Sequence, residues 1–462
     1  MDEELRAIAD YIVESQSTTV SDEIQHEIVR HLIDATGCAL AAVDEAVGVA
    51  TRPLARETTV PNGGASAIGV DQPTSVELAT LANAALVRAL DYNNVYSSHS
   101  GGHPSNMFPA MLAFAEARRL SGRSIISGIN VACEVYAALN DSVSLRKFGW
   151  DAGAFLAPAC SAGIAAMAGL NFEASANAVA LALTAGPPLS IIRSGTLSNW
   201  KGAAEAYSVM NGVVFARLAA AGMTGPAYPF GGTHGFVQQV AGPIDMTNLG
   251  RPVEGRSAIQ RTSLKIVPSQ WTSQGPVELF LGLSAELDSS AIESIQIRSF
   301  DFLYFAIGGG RNDHAEKWDP QTRETADHSL PYVLAVALTD GELTLDSFGA
   351  SRVLDPGIRP LMDKMTIEIA PEYAEAYPNS QPVDFIIRMR DGQVLRYHTE
   401  FAQGHFTKPF SDAQVEEKFR KLTSRTQSVS SSEELLQDLQ LLPELDSVDN
   451  LGRLLRQASV KV

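Results

Sequence analysis

Cysteine is almost missing from this sequence of 462 residues: Cys38, Cys133 and Cys160 are the only three, far apart and without a C-x-x-C pair. That excludes a disulfide framework and leaves no cysteine ligand set for zinc or an iron–sulfur cluster. A reducing, cytoplasmic location is expected. Charge is also scarce, at 19% of residues, and its balance is acidic: 53 acidic against 35 basic residues give a net charge of −18. Such a field repels a phosphate backbone, so nucleic acid is not expected as a partner. The start, MDEELRAIADYIVE, has neither the basic beginning nor the apolar centre of a signal peptide. H-E-x-x-H, G-x-S-x-G and G-x-G-x-x-G contexts are lacking too, which removes support for metalloprotease, serine hydrolase and dinucleotide-binding readings.

Two stretches lack charge altogether, residues 152–172 and 174–192. Both are rich in Ala, Gly and Ser, poor in Leu, Ile and Phe, and interrupted by Pro158 and by Pro187-Pro188. A membrane span needs about 20 strongly apolar residues, so these read as closely packed internal helices and no membrane is expected.

What the sequence does have is 45% hydrophobic residues, enough for a large core. The helical period runs through most of residues 1–265, in stretches such as ATLANAALVRAL and AEAYSVMNGVVFARLAAAG. Alternation replaces it in SIQIRSF, MTIEIAP and the pair DFIIRMR and QVLRYHTEF around Asp391-Gly392. A D-G dipeptide between alternating runs predicts a tight hairpin with positive φ at both turn positions. Helix returns after Ser411, which with Gln414 predicts a capping box. The expected fold is mainly α: an all-helical domain of residues 1–265 plus 406–462, with a smaller α+β lid of residues 266–405 inserted before the C-terminal helices.

The densest polar cluster in the apolar half is ALDYNNVYSSHSGGHPSN, residues 89–106. Held between rigid helices, such a loop is where a site is built. Asp91 and His103 there suggest a carboxylate–imidazole pair for proton transfer. Lys201 begins a helix in uncharged surroundings, where a cation opposes the macrodipole and gains from an anion. Lys265 falls at the domain boundary. Arg311 follows three glycines in a charged segment that ends in Asp327-His328. Together these suit proton transfer on a substrate bearing carboxylates, with cations stabilising an enolate.

Four blocks, LDYNNVYSSHSGGHPSN, NWKGAAEAYSVMNGVVFARLAAAGMTGP, SLKIVPSQWTSQGPVE and WDPQTRETADHSLPYVLAVAL, resemble in order the matching blocks of the MmgE/PrpD family. That family includes 2-methylcitrate dehydratase, cis-aconitate decarboxylase and iminodisuccinate epimerase. The resemblance implies a helical domain with an α+β lid, a homodimer, a small anionic carboxylate substrate, and no metal or organic cofactor. It places catalytic roles on Asp91, His103, Lys201 and Lys265; beside them, substrate contacts are expected from Asn93, Asn94, His99, Ser105 and Arg311. The implied activity is dehydration of a 2-methylcitrate-like hydroxy acid, with decarboxylation, epimerisation or carboxylate binding without turnover as alternatives. Two departures stand out: Asn94-Val95 replaces an acid and a hydroxyl usual in the family's loop, and Ala152 stands where relatives usually carry a histidine. Lysine occurs only nine times, so an anionic substrate must be met by cations concentrated in one cleft.

Overall fold

The computed structural model describes residues 1–458. The chain is mainly helical, with a small four-stranded sheet in its second half. The first half contains nine helices: α1 (Glu3–Ser15), α2 (Asp22–Ala41), α3 (Ala46–Glu57), α4 (Val76–Ala89), α5 (Phe108–Arg118), α6 (Gly122–Ser142), α7 (Leu156–Met167), α8 (Phe172–Thr184) and α9 (Trp200–Ala220). Ser21, Ser75 and Asn171 start α2, α4 and α8 by accepting a backbone N–H with the side chain, which satisfies a donor the helix itself cannot.

The composition of α7 and α9 explains how they pack. A Cβ built on Gly163 of α7 would lie 2.6 Å from the carbonyl oxygen of Gly128 on α6, and one on Gly212 of α9 would lie 2.6 Å from that of Ala157 on α7. These backbones touch because nothing larger than hydrogen stands between them. The two uncharged stretches thus become the short helices α7 and α8, of 12 and 13 residues. Among the described residues no helix is long and apolar enough to cross a membrane.

The second core forms between residues 267 and 389. Strands β3 (Ile292–Ser299), β4 (Met365–Ile369), β5 (Val383–Met389) and β6 (Val394–Thr399) form a sheet in the order β4-β3-β5-β6, parallel only between β3 and β4. α10 (Gln274–Leu283) and the helix Leu330–Asp340 pack on it. The β5–β6 hairpin differs from the expected two-residue turn. Met389 N donates to Gln393 O, so Arg390, Asp391 and Gly392 form a three-residue loop. Only Gly392 takes positive φ, at 91°, and Asp391 instead accepts the Gln393 N–H with its side chain; Gly392 N also donates to Met389 O, so the loop is a β-turn closed by a left-handed glycine.

After the sheet the chain returns to the first core. Ser411 and Gln414 form the reciprocal capping box of the helix Asp412–Thr423, whose Val415 and Phe419 pack into the same core as α2. The helices Val429–Gln440 and Asp449–Arg456 follow it there.

Candidate active site

A two-strand contact assembles the site. β1 (Val95–Tyr96) pairs antiparallel with β2 (Thr262–Ser263), which brings the loop after α4 beside Lys265. The loop is folded tightly. Tyr96 and Gly102 exchange two backbone hydrogen bonds, and Gly102 at φ 150° lies so close to Tyr136 that a Cβ would sit 2.2 Å from the phenol oxygen. Asp91, just past the end of α4, takes a left-handed φ of 50°, a conformation that costs free energy outside glycine and that its buried bonds hold in place.

Asp91 is the hub. Its Oδ1 accepts from the Lys265 ammonium, and its Oδ2 lies 3.1 Å from Lys201 Nζ and 3.2 Å from Arg88 Nη1. Burial alone would raise this carboxyl, but Arg88, Lys265 and Lys201 outweigh it and hold it well below the usual carboxylate range. Lys265, fully enclosed, also donates to the carbonyls of Asp91 and Ser269; burial lowers it to about 8 despite Asp91. Lys201, in the first turn of α9, lies 2.6 Å from Asp327 Oδ1 and 3.1 Å from His328 Nδ1. The anions that compensate a cation at this helix start are therefore the protein's own. Ligand-type atoms of Asp91, Asp327 and His328 lie within 4.8 Å of one another; the Lys201 ammonium pairs with both carboxylates, and His328 Nδ1 lies 2.5 Å from Asp327 Oδ1, an acceptor, so this ring carries its proton on Nδ1.

Both lysines spend their donors on protein acceptors, one layer behind the cavity. The cavity wall itself carries Arg88, Arg146, Arg193 and Arg311 with His103, His328, Asp91, Asp151 and Glu205. Arg193 bonds Asp151 Oδ2 at 2.9 Å and Glu205 Oε1 at 2.5 Å, and Arg88 lies 3.3 Å from Glu205 Oε2. Its volume is about 80 Å³ for water centres, room for roughly six waters at 10–15 Å³ each. That suits a small polyacid. Three wider grooves on the surface, one of them also charged, have no histidine in their walls.

His103 reaches this cavity, but the expected Asp91–His103 hydrogen bond is replaced. His103 Nδ1 lies 2.7 Å from the carbonyl oxygen of Asn94. A carbonyl only accepts, so Nδ1 carries the proton and Nε2 is left with its lone pair. Burial, with Arg88 and Lys265 adding to it, keeps the ring well below its ordinary pKa, hence neutral. Burial and Lys201 likewise push His328 down to about 3.

The remaining expected residues separate by depth. Asn93 donates to Ser105 Oγ at 2.9 Å, and Asn94 Oδ1 accepts from Ser105 N at 3.1 Å. All three are enclosed and brace the loop from within rather than lining the cavity. His99 is exposed and lies outside the cavity. Arg311, reaching across from the α+β unit, lines it and donates to the Arg193 carbonyl at 3.0 Å. Ala152 lines it as well, so no imidazole stands at that position. Arg88, Arg146, Arg193 and Glu205 went unnoticed in the sequence; Arg88 reads there as an ordinary last-turn cation of α4.

Fold and site together define a cavity lined by arginines, carboxylates and two histidines, set between a helical body and an α+β unit. The chain belongs to the MmgE/PrpD family: residues 6–248 match the MmgE/PrpD N-terminal domain and residues 267–441 the C-terminal domain. It is 26% identical over 437 residues to a 2-methylcitrate dehydratase of Salmonella typhi, covering 87% of this chain and 86% of that protein. A mitochondrial 2-methylcitrate dehydratase of Yarrowia lipolytica is 25% identical, covering 85% and 78%. A cis-aconitate decarboxylase of Mus musculus is 23% identical, covering 83% and 79%. Dehydratase and decarboxylase are both lyase activities, and these relatives make the chain an enzyme of the lyase class.

Proposed function

We propose that this protein is a lyase that removes water from a 2-methylcitrate-like hydroxy polycarboxylic acid. The observation that carries the reading is the pairing of two neutral histidines, His103 and His328, in one arginine-lined cavity. In this reading His103 Nε2 takes the proton from the carbon next to a substrate carboxylate, and the arginines stabilise the enolate-like charge that develops. The electron pair forms the new C=C bond as the C–O bond breaks. The departing hydroxyl leaves as water with the proton that His103 has taken, and His328, whose Nδ1 donates to Asp327 Oδ1 at 2.5 Å, accepts from that hydroxyl with its free Nε2 while it is bound. Asp91 and Lys265 hold the geometry. The cytoplasm and a homodimer complete the proposal.

His103→Ala is expected to lower kcat by about 10²- to 10⁴-fold with folding intact. Product analysis by NMR in deuterated water separates the chemistries: an alkene without loss of carbon supports dehydration, carbon dioxide release supports decarboxylation, and deuterium incorporation without water loss supports epimerisation. A hydroxy polycarboxylate that stabilises the protein yet is never consumed refutes the enzymatic reading. The relative that is a decarboxylase makes the second outcome the one to compare first.

A further inference from the structure

The four cavity arginines divide into two kinds. Arg88 and Arg193 are matched by Asp91, Glu205 and Asp151. Arg146 and Arg311 are not: among the described residues neither forms an ion pair with a carboxylate side chain. Arg146 sits in the turn Leu145–Phe148 of the helical body. Its guanidinium carbon lies 4.4 Å from the ring centre of Phe302, in the helix Asp301–Ile307 of the α+β unit. A guanidinium resting on an aromatic face uses no N–H in doing so, which leaves its donors for a planar anion. Arg311 uses Nη1 on the Arg193 carbonyl at 3.0 Å and the Ser194 hydroxyl at 3.5 Å, leaving Nε and Nη2. Burial and the neighbouring Arg146 both disfavour its charge; two like charges on one cavity wall are a cost that an anion between them removes.

Depth supports a division of labour. Asp91, His103 and His328 are buried, whereas Arg146 and Arg311 are partly exposed, so the unmatched cations lie nearer the mouth than the acid–base groups. Ala152 lines the same cavity, and its side chain ends at Cβ, which leaves space there for a substrate group.

We propose that Arg146 and Arg311 form a clamp, one jaw from each structural unit, for a substrate carboxylate that takes no part in the bond changes, and that this clamp selects tricarboxylates over dicarboxylates. The inference deepens the polycarboxylate reading of the cavity and rests on it. Phe302 fixes the Arg146 jaw.

Two unreactive probes test the clamp by calorimetry. Tricarballylate and glutarate differ only in the central carboxylate, and neither has a hydroxyl to eliminate. The unaltered protein is expected to bind tricarballylate about 10- to 100-fold more tightly than glutarate, the range for a carboxylate held by charge-assisted hydrogen bonds. Arg146→Met and Arg311→Met should each remove most of that preference, and Arg146→Lys should restore part of it, since an ammonium keeps the charge but not the fork. Equal affinities in the unaltered protein, or an unchanged preference in the methionine variants, overturns the clamp. If one methionine variant does not fold, the other and Arg146→Lys decide. Alkene formation from a hydroxy tricarboxylate is assayed separately: no turnover with the tricarballylate preference intact refutes dehydration and leaves the clamp standing.

Discussion

Replacing Lys201 with methionine keeps much of the side-chain volume and removes the ammonium that Asp91 and Asp327 share at 3.1 and 2.6 Å. Two enclosed carboxylates are then left with ligand-type atoms within 4.8 Å of one another. Like charges that close in a dry site do not both stay ionised, so one takes up a proton. Charging that proton at about pH 7.5 to a carboxyl of ordinary pKa ~3.9 costs about 5 kcal/mol at about 1.36 kcal/mol per unit, which sets a ceiling. Breaking a buried ion pair costs about 3–5 kcal/mol, so the two arguments meet. The sign of the pH dependence distinguishes this cause from simple loss of packing. In the variant the folded state binds one more proton than the unfolded state above pH ~4, so its stability rises as pH falls, by up to about 1.4 kcal/mol per unit. Equilibrium denaturation of both proteins between about pH 7.5 and 5.5 should show the deficit shrinking by ~2–3 kcal/mol. A deficit below about 1 kcal/mol, or one that stays constant over that range, refutes the shared-ammonium argument.

Three further outcomes follow from positions described above. His99→Ala should leave kcat and KM unchanged in steady-state assays, because the imidazole is exposed and outside the cavity. Gly163→Ala forces a methyl to within 2.6 Å of the Gly128 carbonyl; it should destabilise the protein by about 1–3 kcal/mol in denaturant titrations, the usual range for overpacking. Lys265 has its folded pKa lowered from 10.5 to about 8, so the unfolded chain binds more protons between those values and stability should gain from this residue as pH rises through that window. Lys265→Met should flatten that part of the stability profile.

The mainly α fold is legible because burial repeats locally: the helical period of the first half and the alternation at β3, β4, β5 and β6 are properties of neighbouring residues. The hairpin shows the limit. Asp391-Gly392 marks the turn, yet the two-residue and three-residue loops differ only in which residues pair, and the strands decide that. The site divides in the same way. A polar loop in an apolar half announces itself, and Asp91 and His103 are found in it. What the sequence does not show is the matching of charges across long separations: Arg193 with Asp151 and Glu205, Lys201 with Asp327, Asp91 with Lys265. Each partner is unremarkable alone, and a cation facing a substrate looks no different in sequence from one already neutralised. Arg146 is therefore visible only once its neighbours are in place.

Lys418 gives the C-terminal return of the chain a consequence for biosynthesis. From the helix Asp412–Thr423 its ammonium donates to the carbonyls of Tyr92 and Lys265 and lies 2.6 Å from Asp34 on α2. The residues after Asp91 and at Lys265 are thus tied together by a side chain that the ribosome adds more than 150 positions after Lys265. While the chain is being made, the helical body can collapse around α2, but the floor of the cavity lacks its tie. Chains released before residue 418 lack both this tie and the residues that the C-terminal helices add to the first core, so turnover should appear only with nearly full-length translation.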